Sequence, residues 1–268
     1  MVSAVDYQVI LDQARKVLES GTDPAKAFGA LTDVLTRGRA GLIKRMLVER
    51  GGTRVRLGPL AGMHFHAQVS EGCYVPKLLG CYEAELHPVL VSLKDHGYTQ
   101  VIDIGCAEGY YAVGLALLLP DVLVFAHDID PVARDMVAKL AELNGVSKRV
   151  RVGGRLDHDS LQQGIAGKTL VFCDCEGGEY DLLTTAAVPA LVGADLIVEL
   201  HGVQSQPQRA RQWLEAMSQT HEVNVIPQGA RNPAIIPDIA GWKHLDQLLA
   251  LWEFRGEPTP WAWMRAKG

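Results

Sequence analysis

The sequence predicts an α/β protein whose sheet is mostly parallel and is covered by helices on both faces. From residue 98 onward, short apolar runs alternate with stretches of helical periodicity, the order expected of a parallel sheet. Runs such as residues 169–173 are apolar almost throughout, as strands buried on both faces require. A glycine loop, Asp103-Ile-Gly-Cys-Ala-Glu-Gly109, joins the first strand to a helix. The 268 residues, 48% of them hydrophobic, can bury one such core and an extension.

The first 98 residues predict an extension in front of this sheet. Apolar residues recur at helical spacing over residues 4–20, and Asp23, which precedes a proline, marks the start of a second helix. Apolar and polar residues alternate over residues 54–70, and this pattern predicts a hairpin. We therefore expect a helical and hairpin cap over residues 1–98 and a catalytic domain over residues 99–268. The N-terminal helices are the expected contact of a homodimer.

The catalytic part predicts seven strands and the helices that connect them. Strand-like apolar runs lie at residues 98–104, 122–126, 149–152, 169–173, 195–200, 222–226 and 261–265. Helical patterns lie at residues 110–119, 131–144, 178–187 and 207–219, and residues 162–167 are expected to form a turn. The proline-rich segment 227–260 carries a short helix, and it is interpreted either as a lid over a pocket or as a packing flap.

The glycine loop predicts a cofactor site at the end of the first strand. Gly105 and Gly109 let backbone approach a ligand, and the start of the following helix offers unpaired N–H groups. The loop reads DxGxxxG and lacks the GxGxxG pattern of dinucleotide folds. Asp103 would repel a pyrophosphate but can hold the ammonium group of a methionine moiety. This difference favours S-adenosylmethionine (SAM) over a dinucleotide as the cofactor.

The end of the second strand supports the same cofactor. Its apolar run ends at Asp128, 23 residues beyond Gly105, where a carboxylate can accept both hydroxyls of a ribose. Asp130 precedes a proline at the start of the next helix, and it is interpreted as the N-cap of that helix. The sequence therefore predicts one cofactor that contacts two neighbouring strand ends.

These segments resemble the class I SAM-dependent methyltransferases over residues 80–202. The downstream segment Asp174-Cys-Glu-Gly-Gly-Glu179, together with Glu199-Leu-His201, resembles the FkbM-type group specifically. The resemblance implies a Rossmann-like seven-stranded methyltransferase sheet in the order 3-2-1-4-5-7-6, with the last strand antiparallel. It also implies methylation of a hydroxyl on a small natural product, sugar or lipid.

The same resemblance implies further contacts to the cofactor. Glu83 follows Gly80-Cys-Tyr and is placed at the methionine end, although an acid here is equally a partner for a helix dipole. Cys106 and Glu108 stand where the family more often has small or amide residues, so the detailed contacts of the loop stay open. The remaining expected cofactor contacts are Cys106, Ile129, Leu156 at the adenine, and Asp174.

Three polar residues after the fourth and fifth strands are the predicted catalytic group. Glu199 and His201 are two positions apart, so they share a face of an extended chain, beside Asp174 on the neighbouring strand. Free histidine titrates near pH ~6.5, so His201 can act as a base on an acceptor hydroxyl if a carboxylate orients it. The same three side chains can instead bind Mg²⁺ or Mn²⁺, which would lower the pKa of the hydroxyl directly. A structural polar network is the third interpretation.

Charge and composition narrow the expected partners. A net charge of −5 lacks the basic excess of a nucleic-acid binder, so a small-molecule acceptor is expected. The longest mostly apolar stretch, residues 112–126, is interrupted by Pro120 and Asp121, and no membrane span is expected. The five cysteines contain no CxxC pair and are typical of a reduced, cytoplasmic protein.

The sequence thus predicts a SAM-dependent O-methyltransferase that acts on a small hydroxylated metabolite. Two alternatives stay open. An NAD(P)-dependent oxidoreductase shares the early strand-helix-strand unit, although the chain shows neither GxGxxG nor a clear set of hydride-transfer residues. A non-catalytic SAM-binding module would hold the cofactor without turnover.

Overall fold

The structure, a computed structural model, describes residues 4–66 and 73–268 and is built around one seven-stranded sheet. The strand order is β3-β2-β1-β4-β5-β7-β6, and β7 runs antiparallel to both of its neighbours. The predicted order and the antiparallel last strand are confirmed. The strands are β1 Gln100–Ile104, β2 Leu123–His127, β3 Val150–Gly153, β4 Thr169–Cys173, β5 Asp195–Glu199, β6 His221–Ile226 and β7 Trp261–Ala266.

Ten α-helices are assigned in the described ranges, four of them before residue 99. Their bounds are α1 Ala4–Glu19, α2 Pro24–Gly51, α3 Tyr74–Leu79, α4 His87–Ser92, α5 Tyr110–Leu118, α6 Pro131–Leu143, α7 His158–Gly164, α8 Glu179–Leu182, α9 Pro207–Met217 and α10 His244–Ala250. Asp23 and Asp130 accept hydrogen bonds from the first turns of α2 and α6, so both are N-caps. No helix in the described ranges is both long and apolar enough to cross a bilayer.

Two of the elements predicted for the catalytic part differ from the structure. Helix α7 runs from His158 to Gly164 and so covers the first three residues of the stretch 162–167 that was expected as a turn. Asp157 and Ser160 form a reciprocal capping box at its start, with the sequence pattern D-x-x-S. The helix expected over residues 178–187 ends at Leu182. Thr184 accepts a hydrogen bond from the Ala187 amide through its side chain at 3.4 Å, and this local bond favours a turn over a helix.

The burial of the strands explains their apolar sequences. All five residues of β1, β4 and β5 are buried, because these strands lie in the middle of the sheet with helices on both faces. In β6, at the edge, buried and exposed residues are mixed. Successive side chains of β1 enter opposite layers, so Val101 packs in one hydrophobic cluster and Ile102 in the other.

The N-terminal part contributes to one of these two clusters. Ile43 of α2 and Leu78 of α3 belong to the same buried cluster as Val101 and as Val113 of α5. The division of the chain at residues 98 and 99 stays a prediction.

The predicted hairpin is reduced to a loop. Within residues 54–66, one isolated antiparallel bridge joins Arg54 to His64, and the rest of the predicted hairpin, residues 67–70, lies outside the described residues.

The segment 227–260, between β6 and β7, lies against the N-terminal helix α2. The Arg39 guanidinium donates two hydrogen bonds of 2.7 Å to the Asp246 carboxylate, and Arg56 Nε lies 3.5 Å from Asp238 Oδ1. The paired geometry of the first contact makes it more specific than an ordinary surface ion pair.

Candidate active site

A cavity of about 670 Å³ opens at the carboxyl ends of β1, β2 and β4. This is the edge at which open α/β sheets bind their ligands, and the volume is in the range of small-molecule and cofactor sites. Five of the predicted cofactor residues line it: Gly105, Asp128, Ile129, Leu156 and Asp174.

Gly105 is required by the close packing of two strand ends. Its φ is +80°, and a Cβ built at this position would lie 1.6 Å from the carbonyl oxygen of Asp174. At Gly109, with φ +94°, a Cβ would lie 3.2 Å from Val137 of α6, which is a tight contact and not an overlap. The sequence interpretation assigned both glycines to the approach of a ligand, whereas at Gly105 a protein atom already occupies the space of the missing side chain.

The Asp128 carboxylate organises the glycine loop at the mouth of this cavity. Asp128 Oδ2 accepts a hydrogen bond of 2.9 Å from the Ala107 amide, and Oδ1 accepts one of 2.8 Å from the Asp130 amide. Ala107 has φ +43°, an uncommon conformation for a residue with a side chain. Because each carboxylate oxygen can accept two hydrogen bonds, Asp128 keeps capacity for a ligand hydroxyl.

A second, much smaller cavity of about 20 Å³ lies on the other side of the glycine loop. It is lined by Asp103 and Cys106, and it shares Gly105, Ala107 and Asp174 with the large cavity. Asp103 is 1% exposed, and its Oδ2 atom has no hydrogen-bond partner in the described part of the chain. Burial and the nearby charge of Asp128 raise the pKa of Asp103 to about 8. Such an uncompensated buried carboxyl suits a positively charged ligand group.

The predicted catalytic residues lie together at the ends of β4 and β5. His201 Nε2 is 3.2 Å from Glu199 Oε2 and 3.7 Å from Asp174 Oδ1. Glu176 joins them, with its Oε2 atom 3.4 Å from the same nitrogen. Burial, followed by the charge of Glu199, raises the pKa of Asp174 well above its ordinary value.

Glu179 is the acid that holds the opposite side of the His201 ring. Its Oε1 atom lies 2.9 Å from His201 Nδ1 and accepts hydrogen bonds from the amides of Cys175 and Gly177. Burial lowers the pKa of His201, but the bond to Glu179 and the charges of the surrounding acids raise it to about 9. His201 is therefore protonated at neutral pH while no ligand is bound. The sequence analysis placed Glu179 in the FkbM-type segment but not in the predicted catalytic group.

Glu199 is also held from outside the sheet, by the segment 227–260. Arg255 donates to the carboxylates of Glu199 and Glu83, and its Nε atom donates to Glu253 at 3.2 Å. Thr259 donates a further hydrogen bond of 2.8 Å to Glu199. Neither Arg255 nor Thr259 lies in a recognisable motif, so no local signal in the sequence could have found them.

Glu83 lies behind the site and not in it. The described residues that line the two cavities do not include Glu83, whose carboxylate accepts hydrogen bonds from Tyr111 and Arg255. Burial and the charge of Glu199 raise the pKa of Glu83 to about 8. Its predicted contact with the methionine end would therefore have to pass through Tyr111, which lines the small cavity.

The donor atoms at this edge are compatible with a metal ion. One ligand atom from each of Asp174, Glu179 and His201 lies within 4.8 Å of the others. The 3.2–3.7 Å separations around His201 Nε2 are also those expected between neighbouring ligands of one cation. Asp174 and His201, two of the three predicted metal residues, belong to the group that includes Glu179. Glu199, the third, belongs to the group around His201 Nε2.

No family model matches the chain. A release factor glutamine methyltransferase of Chlorobaculum tepidum is 34% identical over 85 residues, which are 32% of this chain and 26% of that protein. The chain thus spans about a quarter of the length of this curated relative.

Solved structures share the fold over much more of the chain. A Klebsiella pneumoniae protein assigned as an O-methyltransferase has a TM-score of 0.50 at 14% identity, and the alignment covers 99% of this chain and 97% of that one. This chain has the class I SAM-dependent methyltransferase fold. The O-methyltransferase TomG of Streptomyces achromogenes, solved with SAM, is 13% identical, with a TM-score of 0.49, 68% of this chain and 81% of that chain covered.

Proposed function

We propose that the protein is a SAM-dependent methyltransferase that methylates a hydroxyl of a small molecule. One observation carries the proposal: the large cavity meets the Asp174, Glu199 and His201 cluster at one edge of the sheet. A cofactor in that cavity would place its methyl group beside side chains that can handle the proton of an acceptor.

The residues at β1 and β2 fit the two ends of SAM. Asp128 is placed to accept hydrogen bonds from the ribose hydroxyls, and Ile129 and Leu156 offer apolar surface for the adenine. Asp103, with its unpartnered Oδ2 atom, fits the ammonium group of the methionine moiety. The similarity to the methyltransferase of Chlorobaculum tepidum supports the choice of a methyl-donating cofactor.

The residues at β4 and β5 fit the acceptor. Methyl transfer from a sulfonium needs the oxygen, carbon and sulfur in line, so the acceptor hydroxyl has to be positioned and to lose its proton. Because His201 carries a proton at neutral pH in the unliganded protein, it can accept the hydroxyl proton only after losing its own. The proton of His201 therefore has to leave to solvent before the methyl group is transferred.

A divalent cation at the same cluster is the alternative route to the same step. Asp174, His201 and Glu199 or Glu179 would hold it, and it would supply Lewis-acid activation of the hydroxyl. The carboxylate of Glu199 is shared with Arg255, which reduces the negative charge available to the ion. Sensitivity to chelation separates the two routes.

The proposal also states which atom of the acceptor receives the methyl group. The FkbM-type motif favours an oxygen on a natural product, sugar or lipid, whereas the curated relative is named for a glutamine, whose acceptor atom is nitrogen. Since the chain covers only 26% of that relative, we retain the hydroxyl. The net charge of −5 supports a small acceptor over a nucleic acid.

We further propose that the N-terminal helices form a homodimer contact. Leu11 and Leu18, seven residues apart on α1, are exposed, and so are Phe28 and Leu35 on α2. Such pairs lie on one face of each helix. Light scattering should show a dimer for the natural chain and a monomer for Phe28→Asp/Leu35→Asp, and a monomeric natural chain would exclude the contact.

Calorimetry and a transfer assay test the main proposal. S-adenosylhomocysteine (SAH) and SAM should bind and NAD⁺ should not, and Asp128→Ala should weaken SAH binding by about 1–3 kcal/mol. Transfer of labelled methyl groups to a panel of hydroxylated and amide acceptors then identifies the acceptor atom. Binding of NAD⁺ in place of SAH would favour an oxidoreductase. Binding of SAH without methyl transfer would favour a non-catalytic SAM-binding module.

A further inference from the structure

The small cavity behind the glycine loop places opposite charges among aromatic rings. Asp103, Tyr82 and Tyr110 are among the residues that line it. Lys77, on α3 in the N-terminal part, carries the one positive charge among the described lining residues. The cavity therefore joins the glycine loop to a segment that the sequence interpretation assigned to the cap.

Lys77 is fixed in this position although a lysine is rarely buried. It is 4% exposed, and its Nζ atom lies 2.5 Å from Glu108 Oε1. The same ammonium stands 4.9 Å from the centre of the Tyr82 ring and 5.8 Å from that of Tyr110. A buried ammonium costs free energy unless it is paired, and here a carboxylate and two ring faces offset that cost.

The acids of the cavity outnumber its one cation. Glu108 pairs with Lys77, whereas Asp103 Oδ2 and Asp174 Oδ1 are buried atoms without a hydrogen-bond partner in residues 4–66 and 73–268. Asp174 lies where the two cavities meet. Because both carboxyls can ionise when a cation binds beside them, the cavity fits a ligand that brings two positive centres and one carboxylate.

The methionine part of SAM has this composition, since it carries a sulfonium, an ammonium and a carboxylate. The small cavity has room for about one water-sized group. A cofactor whose adenosine fills the large cavity would keep most of its amino-acid head at the junction, and only the ends of its ammonium and carboxylate would reach into the small cavity. Asp103 is suited to the ammonium, which leaves the carboxylate to the cation.

We infer that Lys77 binds the carboxylate of the cofactor's methionine moiety, sharing its ammonium between that group and Glu108. This inference rests on the proposed function. It makes α3 part of the cofactor site, so residues before the predicted domain boundary complete the pocket.

A pair of ligands tests the inference on the natural protein. SAH and its decarboxylated analogue, S-adenosyl-3-thiopropylamine, differ only in the carboxylate. The full chain should bind SAH at least about tenfold more tightly, as expected of a charge-assisted hydrogen bond. If neither ligand binds, the proposed function fails. If both bind equally well, the inference on Lys77 is overturned while the cofactor assignment stands.

Variants then assign the preference to Lys77. The double variant Lys77→Met/Glu108→Gln removes both charges of the pair, and its preference for SAH should fall to within about twofold. Lys77→Arg should keep the preference, and Lys44→Met, which removes an ammonium from the face of Tyr74 outside both cavities, should leave it unchanged.

A preference that survives in the folded double variant would overturn the inference. If that variant does not fold, the wild-type ligand pair still decides, because equal binding contradicts the inference and a tenfold preference supports it.

Discussion

The two halves of the candidate site are built in different ways. The cofactor half, at β1 and β2, takes its key groups from one short stretch, since Asp128 lies 21 residues from the Ala107 amide that it binds. The acceptor half, at β4 and β5, depends on Arg255, which is 56 residues from Glu199 and 172 from Glu83. The cofactor half consists mainly of backbone groups and of carboxyls that act singly. The acceptor half consists of a network of buried charged side chains.

Because of this difference, we expect a substitution in one half to leave the properties of the other half unchanged. Damage to the cofactor half should lower affinity for SAH, and damage to the acceptor half should lower turnover or stability while SAH still binds. The strand ends are shared, because Asp174 belongs to both cavities and to the His201 cluster. Variants at the point of contact are therefore expected to have the largest effects.

Gly105→Val should have the largest effect, because Gly105 lies where the two halves touch. Its Cβ would overlap the Asp174 carbonyl, at 1.6 Å, and its φ of +80° is strained for a branched residue. We expect a loss of more than about 3 kcal/mol in unfolding free energy by chemical denaturation. Gly154→Ala is the matched control, since nothing lies within 4 Å of its Cβ. A stable Gly105→Val protein would remove the packing explanation.

Arg255→Gln should have the next largest effect, and it should act on the acceptor half. The guanidinium is 14% exposed, and its loss would leave Glu199 and Glu83 buried without their cation. Removing one partner of a buried ion pair typically costs about 3–5 kcal/mol of stability. Arg265→Gln breaks an exposed pair with Glu222 and should cost only about 0–1 kcal/mol. Equal melting temperatures for the two variants would contradict the network.

His201→Ala should separate chemistry from cofactor binding. We expect turnover to fall by about 10²-fold or more, the usual contribution of a positioned acid or base, while SAH affinity stays unchanged. Asp128→Ala should show the converse pattern in the same two assays. If His201→Ala loses SAH affinity and keeps its turnover per bound cofactor, the assignment of the two halves is reversed.

Treatment with a chelator distinguishes a metal-dependent mechanism from a histidine base in the acceptor half. Treatment with EDTA should abolish turnover and added Mg²⁺ or Mn²⁺ should restore it if Asp174, Glu199 and His201 hold a cation. Without a cation, turnover should be insensitive to EDTA and should rise as pH approaches 9, because the pKa of His201 is about 9 and its proton must leave first. A rate that falls between pH 7 and 9 would contradict the proton route.

The effect of Asp103 is expected to depend on pH and to be confined to the cofactor half. Since its pKa is raised to about 8, the folded protein keeps a proton there that the unfolded chain loses near pH ~4. Stability should therefore decrease as pH rises from about 4 to 8, and Asp103→Asn should abolish that decrease. Binding of the ligand ammonium requires the ionised carboxyl, so SAH affinity should fall up to about tenfold per pH unit below pH 8. A pH-independent affinity in the natural protein would exclude this contact.

The sequence was most informative where chemistry follows from local spacing and strand order. Asp103, Gly105 and Asp128 could be found because they end two strands that a parallel sheet must bring together. The same rule brought Asp174 beside Glu199 and His201, although they belong to different strands. Seven strands and their order could be predicted because the central ones are continuous apolar runs and because the motifs resemble a family of known topology.

The remaining contacts depend on tertiary packing that no local pattern encodes. Arg255 follows Phe254, which has φ +59°, in an irregular stretch of the segment 227–260, where neither helical nor strand periodicity fixes the direction of a side chain. Lys77 meets Glu108 only because α3 packs on the glycine loop. Glu179 was not predicted among the catalytic residues, because its bond to His201 joins positions 22 residues apart.

A crystal structure of the complex with SAH tests the central claim most directly. The account predicts SAH in the 670 Å³ cavity, with its ribose hydroxyls on Asp128 and its sulfur facing Asp174 and His201. A ligand bound elsewhere, or one whose sulfur faces away from the ends of β4 and β5, would contradict the proposed methyl transfer.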